Sequence, residues 1–316
     1  DGERPAIPHG ETTAAMPLAR PAALRLSGIA LMAAAVFCFA CLDASAKLLA
    51  QDLPVLQVVW ARYAFNFLLV LPLVNPWRVE GLLATKRPFL QITRASLILV
   101  STALNFVALR YLQLDQTISI MFMTPLLVAL IAGPLLGEWI GPRRAIAIGV
   151  GFIGVLVITQ PGLAGFHPAM LLSLAGAFIY AAGNIITRVL SRHDPSTTTF
   201  FFVGAVGTAV LTPVVPFVWE WPTHLSSLFW MLLMGGSGAV GHWCLIVAHK
   251  YAPAAILAPF IYTQIIWMTL FGWWLFEDVP NHATLIGAGI VIASGGYLLW
   301  REWVVMNEAR RGADKG

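Results

Sequence analysis

The chain has 316 residues, of which 59% are hydrophobic and only 11% charged, with a formal net charge of +4. A soluble domain carries roughly 25% charged residues, so a water-soluble enzyme or binding module is excluded. The basic residues stand between apolar runs rather than in one patch, which argues for membrane orientation and against a nucleic-acid partner.

Many apolar runs are about 20 residues long, the length that crosses a hydrocarbon core of ~30 Å. Alternating period-2 strands, which an outer-membrane barrel would need, are absent from the sequence. The expected fold is an all-α polytopic membrane protein. Residues 1–25 are expected to form a disordered cytoplasmic N-terminal tail. The first apolar run is too long for a signal peptide, contains Asp43 and lacks a small-x-small cleavage site, so it is expected to remain as a helix. Ten transmembrane helices are expected, over residues 26–50, 55–75, 89–110, 115–137, 143–160, 168–191, 196–218, 228–250, 253–276 and 282–301. Pro and Gly mark several short connections between them, as at Pro54, Gly141-Pro142, Pro161-Gly162 and Pro195. Pro125, Pro213, Pro216 and Pro259 fall inside apolar runs and predict kinks. Residues 303–316 are expected to be a charged cytoplasmic C-terminal tail.

The chain repeats itself. Residues 108–138 lead from Tyr111 through an apolar segment centred on Thr124 to Glu138, and residues 247–278 lead from Tyr251 through Thr263 to Asp278. Asp43 to Lys47, followed by Pro54, matches Asn184 to Arg188, followed by Pro195, at an offset of 141. Gly149-x-Gly151 matches Gly287-x-Gly289 at an offset of 138. The unit is five spans, residues 26–160 and then 161–302, and an odd number of spans turns the second copy upside down. Sixteen of the nineteen Lys and Arg fall on the side of the termini, leaving only Lys47, Arg62 and Arg110 toward the other. That imbalance predicts both termini in the cytoplasm. Inverted repeats are a recurrent plan of secondary transporters, with the site near the midplane between the halves.

Two five-helix halves, the phrase from Ala108 to Leu112 running on to Leu136-Gly137-Glu138, and the glycine-laced span after it resemble the drug/metabolite transporter superfamily, and within it the ten-helix EamA-type exporters. The second copy departs slightly, with Phe276-Glu277-Asp278 where the family has Phe-Gly-Glu. The resemblance implies export of small metabolites across a bacterial inner membrane, with YddG-like aromatic amino-acid exporters as the nearest subgroup. A riboflavin-like or adenosyl compound is the alternative substrate. An intramembrane enzyme acting on lipid is the rival from another class, and the dispersed polar residues do not form the clustered catalytic set it would need.

Ionisable groups inside spans are costly and each is a functional candidate. Asp43 and Lys47 are four apart on one helical face, a spacing that allows them to pair. With their repeat mates Asn184 and Arg188 they are candidates for closing opposite mouths of a cavity, although Lys47 and Arg188 are equally placed to snorkel to headgroups. Arg62, beside Trp60 and Tyr63, is a candidate for a substrate carboxylate or for pairing with Asp43 or Asp115. Glu138 and Asp278 read as anchors of loop geometry, and Arg110 and Asp115 as brackets of a tight turn. The candidate cavity walls are Asn66, Asn105, Met121, Met123 and Thr124 from the first half, and Tyr180, Asn184, His242, Trp243, Tyr262, Thr263, Gln264 and Trp267 from the second. Aromatic and Met walls suit flat or apolar groups, and sparse amides and hydroxyls suit a polar end. Taken singly, each of these also fits ordinary helix packing.

Gly236-x-Gly238-x-x-Gly241 formally matches a dinucleotide fingerprint, but no strand or βαβ unit surrounds it, so small-residue helix contact is the better reading. Cys38, Cys41 and Cys244 lie inside apolar runs and read as small hydrophobes rather than a metal or redox set. No catalytic residue, cofactor or metal is expected, and the protein is expected to work as a monomer on a small-molecule substrate in the lipid bilayer.

Overall fold

A computed structural model describes residues 22–72, 82–136, 141–160, 166–191, 193–252 and 254–313. The helices are α1 (Ala22–Asp52), α2 (Val55–Val70), α3 (Pro88–Leu109), α4 (Leu114–Met121), α5 (Thr124–Leu136) and α6 (Pro142–Thr159) in the first half. The second half has α7 (Ala169–Leu190), α8 (Ser196–Leu211), α9 (Leu225–Tyr251), α10 (Ala254–Ile261), α11 (Gln264–Phe276) and α12 (His282–Ala313). Among the described residues twelve α-helices make up the ten spans, because the fourth and the ninth are each broken in two. The polytopic all-α fold with two repeats is as expected.

Several boundaries differ, each for a local reason. The seventh span ends as an α-helix at Leu211 rather than at 218, because Pro213 lacks the amide to continue the ladder; a 3₁₀ turn, Val215–Phe217, takes Pro216. Those two prolines terminate the helix and do not kink it. The last helix continues past 302 to Ala313, so the start of the expected tail is helical, and α1 begins at Ala22, inside the expected N-terminal tail. Asn75, Arg78, Gly137, Glu138, Pro161, Gly162 and Arg192 lie outside the described residues.

Neighbour relations reveal the symmetry. The contact of α1 with α9 is matched by that of α7 with α3, the contact of α2 with α9 by that of α8 with α3, and the contact of α5 with α7 by that of α11 with α1. Two helices pack directly on their own repeat mates, α2 on α8 and α6 on α12. Both pairs run antiparallel. Along α2 and α8, Trp60 donates to Thr212 Oγ1 at 3.1 Å, and Tyr63 and Phe67 then face Gly207 and Gly204. Along α6 and α12, Ser294 donates to the Ala147 carbonyl, and Gly154 then meets Gly287 and Val291. Equivalent helices running in opposite directions are what an inverted repeat requires. The glycines matter here: a Cβ on Gly154 would lie 2.9 Å from the Gly287 carbonyl oxygen, so this crossing tolerates only glycine.

The breaks have a common chemistry. Pro125 has no amide to donate to the Met121 carbonyl, and the Thr124 hydroxyl donates to that oxygen instead, at 2.7 Å. In the second copy the Thr263 hydroxyl donates to the Phe260 carbonyl at 2.6 Å. Non-helical backbone at membrane depth is tolerated where neighbouring groups satisfy it and where it lines a cavity.

Candidate functional site

The two breaks meet. The turn residues Phe122 and Tyr262 pack edge to face, with ring centroids 5.0 Å apart and an interplanar angle of 78°. They form part of the wall of a cavity of about 630 Å³ that also draws on α1, α2, α3, α7, α8 and α9. Discontinuous helices at matching positions of two inverted repeats are the recurrent frame of a transporter substrate site. The cavity runs from mid-depth to the end of the bundle that carries both termini, where Ser191, Asp194 and Ser196 line it.

The opposite end is sealed. There α4 packs on α11 and α12, and the Lys47 ammonium forms an ion pair with Asp278 Oδ2 at 2.6 Å. The same ammonium sits 4.5 Å from the centroid of the Phe276 ring. Glu277 takes a left-handed conformation, φ 56°, ending α11 and letting the Asp278 amide donate back to the Gly272 carbonyl at 3.0 Å. This turn sets the carboxylate against α1. On its outer side lies a shallow depression lined by Gln51, Arg110, Tyr111 and Gln113.

Among the residues singled out from sequence, Asn66, Asn105, Met121, Thr124, Tyr180, Asn184, His242, Tyr262 and Gln264 line the cavity, as do Asp43 and Arg62. Four do not. Met123 is fully buried in the helical core, and Trp243 is 57% exposed on the outer face of α9. Trp267 packs edge to face on Phe37 at 4.9 Å, and Thr263 is consumed by the break. Nor do Asp43 and Lys47 pair: four residues advance a helix by about 400°, enough to turn Asp43 into the cavity while Lys47 meets α11. Lys47 does not snorkel, and Asp278 is an ion-pair partner rather than a loop anchor alone. Arg188 is exposed in the last turn of α7 and does not line the cavity. Asp115 opens α4, where Gln113 and Gln116 form a reciprocal capping box.

Polar chemistry inside the cavity is sparse and specific. Arg62 donates to Thr102 Oγ1 at 3.3 Å and lies 4.7 Å from the centroid of the Tyr63 ring. Arg94, one of the sixteen basic residues on the side of the termini, also lines the cavity. It donates to Thr187 Oγ1 at 2.5 Å and to the Thr199 carbonyl at 3.3 Å. His242 donates from Nδ1 to the Gly238 carbonyl at 2.8 Å and sits between Phe39 and Phe200. Its Nε2 therefore remains for a ligand. Asp194, in the α7–α8 turn at the mouth, accepts from Thr85 Oγ1 at 2.5 Å, Gln91 Nε2 at 2.8 Å and the Lys86 amide at 3.2 Å. Burial acts to raise its pKa, but these hydrogen bonds, together with the charge of His193, outweigh it and hold the carboxyl below the ordinary carboxylate range.

Comparison with known proteins decides the family. The profile of the EamA-like transporter family matches residues 26–160 and again 167–299, once per half. The chain belongs to the EamA-like transporter family. This membrane transporter is 28% identical over 250 residues to a riboflavin transporter of Vibrio cholerae, covering 78% of this chain and 83% of the relative. It is 26% identical over 266 residues to an S-adenosylmethionine uptake transporter of Rickettsia bellii, covering 84% of this chain and 91% of the relative. A solved crystal structure shares the fold with a TM-score of 0.58 at 17% identity, covering 86% of this chain and 95% of that one.

Proposed function

We propose that the protein carries a flat heterocyclic metabolite of the flavin or adenosyl class across a bacterial inner membrane by alternating access, with both termini in the cytoplasm. The observation that carries this reading is the meeting of both helix breaks at the base of an aromatic-walled cavity that is closed at one end only. Tyr63, Phe106, Phe122, Tyr180, Phe200 and Tyr262 supply faces and edges for a ring system, and Asn66, Asn105 and Gln264 supply amides for its polar edge. The named substrates of the relatives favour this class over amino-acid export, the main expectation from sequence. Lys47 and Asp278 act in this reading as the gate remote from the termini. The excess of basic residues at the opposite end supports the cytoplasmic orientation.

The test is flux into proteoliposomes containing the purified protein, with labelled riboflavin, S-adenosylmethionine, phenylalanine and tryptophan offered separately, with and without a pH gradient. Saturable flux of a heterocycle, competed by its unlabelled form, is expected. Flux of the amino acids alone would overturn the heterocyclic reading.

A further inference from the structure

We infer that the ligand carries an oxyanion, a carboxylate or a phosphate, which is held by Arg62 and Arg94. This rests on the reading of the cavity as the substrate site and narrows its substrate class. Three basic side chains point into the described interior, and they are not treated alike. Lys47 has a carboxylate at 2.6 Å. Among the described residues, neither Arg62 nor Arg94 has one within 4.0 Å; their partners are the hydroxyls of Thr102 and Thr187 and the carbonyl of Thr199. A guanidinium offers five N–H donors in a planar fork matched to carboxylate and phosphate. Arg62 uses one and Arg94 two in the bonds above, and the buried Arg62 Nε has no partner among the described residues. Arg62, Arg94 and Tyr180 line the same cavity.

The arginines of the cavity are not directly paired with its carboxylates among the described residues. Asp194 is engaged by Thr85, Gln91 and the Lys86 amide, so it does not answer either arginine. The remaining carboxylate of the wall is Asp43, which accepts no hydrogen bond from the described residues and feels Arg62. Two guanidinia and two carboxylates line the wall, but among the described residues no carboxylate oxygen lies within 4.0 Å of either guanidinium, which leaves their fork donors for an anionic group of the ligand. The aromatic surface beside the arginines, Tyr63 and Phe106, positions the ring of the same ligand: Arg62 lies 4.7 Å from the first ring centroid and 5.9 Å from the second. Within the flavin class this favours a phosphorylated flavin over the neutral parent. Within the adenosyl class it favours the compound with its α-carboxylate over the decarboxylated one.

The experiment is equilibrium binding to the full chain in nanodiscs with matched pairs: riboflavin and its 5′-phosphate, S-adenosylmethionine and its decarboxylated analogue, phenylalanine and phenylalaninamide. Arg62→Lys and Arg94→Lys keep the charge but lose the fork, and Arg62→Ala removes both; retained binding of the pair member that lacks the oxyanion shows that a variant is folded. The expected result is a preference of about 10–100-fold for the oxyanion-bearing member of a heterocyclic pair, reduced toward unity in the variants. Equal binding within both heterocyclic pairs, unchanged in the variants, overturns the inference and leaves the heterocyclic reading standing. Arginine-dependent preference in the amino-acid pair with no heterocycle bound supports the oxyanion site and overturns the heterocyclic reading. The flavin and adenosyl arms separate phosphate from carboxylate as the group bound.

Discussion

Loss of the Lys47–Asp278 ion pair is expected to open the end of the cavity that lies remote from the termini. The side chains are 8% and 24% exposed, so the pair is neither fully buried nor free in water. Removing one partner of a buried pair costs ~3–5 kcal/mol, and a surface pair contributes ~0–1 kcal/mol. The intermediate exposure places the effect at about 1–2 kcal/mol, a shift of roughly 5–30-fold in the balance between closed and open states. A reporter cysteine introduced as Ile118→Cys, at a buried position of the cavity wall, reads this shift. Cys38, Cys41 and Cys244 would first be replaced by serine or alanine. A membrane-impermeant maleimide added to the remote face should label the reporter slowly in the parent and about 5–30-fold faster in Lys47→Met or Asp278→Asn. The double variant should add nothing to either single one, and the reversed pair Lys47→Asp with Asp278→Lys should restore slow labelling. Single-variant rates that stay within about twofold of the parent would refute the assignment of closure to this pair.

Three further outcomes follow from packing and hydrogen bonding. Gln57 is fully buried and exchanges two bonds of 2.9 Å with the Glu220 backbone. Gln57→Leu strands an amide and a carbonyl, at about 1–3 kcal/mol each, and should lower the Tm in detergent while leaving the substrate KM unchanged. Gly287→Ala would put a Cβ 2.6 Å from the Gly154 carbonyl oxygen, whereas a Cβ on Gly149 meets nothing within 4 Å. The first should cost ~1–3 kcal/mol as overpacking and lower the Tm, and Gly149→Ala should leave it unchanged; equal melting of the two would contradict the packing account. Because the folded pKa of Asp194 is depressed, its stabilisation is complete above the unfolded carboxylate value of ~3.9 and is lost as pH falls through the folded value. Asp194→Asn should therefore melt lower at neutral pH, by the ~1.5–3 kcal/mol of charge-assisted hydrogen bonding. Its thermal stability should fall less than the parent's on acidification below about pH 4.

Much of the fold was legible because a bilayer imposes a length and a polarity on each span, and because two halves record the same plan. The breaks were half legible: Pro125 marks the first, whereas the second is marked mainly by its repeat position and by Thr263. The site was less so. Hydropathy counts Arg94 as another basic residue near a membrane surface, and only the packing of α3 against α7 and α8 turns it into the cavity. Local spacing suggested Asp43 and Lys47 as partners, but the partner Lys47 takes is 231 residues away. Trp243 and Trp267 share aromatic chemistry with the wall residues, and what separates them is the direction each side chain leaves its helix, which one chain's apolar pattern does not encode in a span that is apolar all round.

On the alternating-access reading proposed above, the departures from two-fold symmetry carry the mechanism. Among the described residues α4 packs on α11 and α12, but the equivalent contacts of α10 with α5 and α6 are not made in comparable strength. The unmade contacts belong to the end that carries the termini, which is the end where the cavity extends. Exchanging the roles of the two repeats would break the first set, including the Lys47–Asp278 pair, and make the second, so that the cavity changes sides without any helix changing its fold. The Phe122–Tyr262 contact behaves differently, because it joins the two break turns themselves. On the alternating-access reading proposed above, this contact at the cavity wall is the place for a pivot, holding one face of the proposed site while the two ends open in turn.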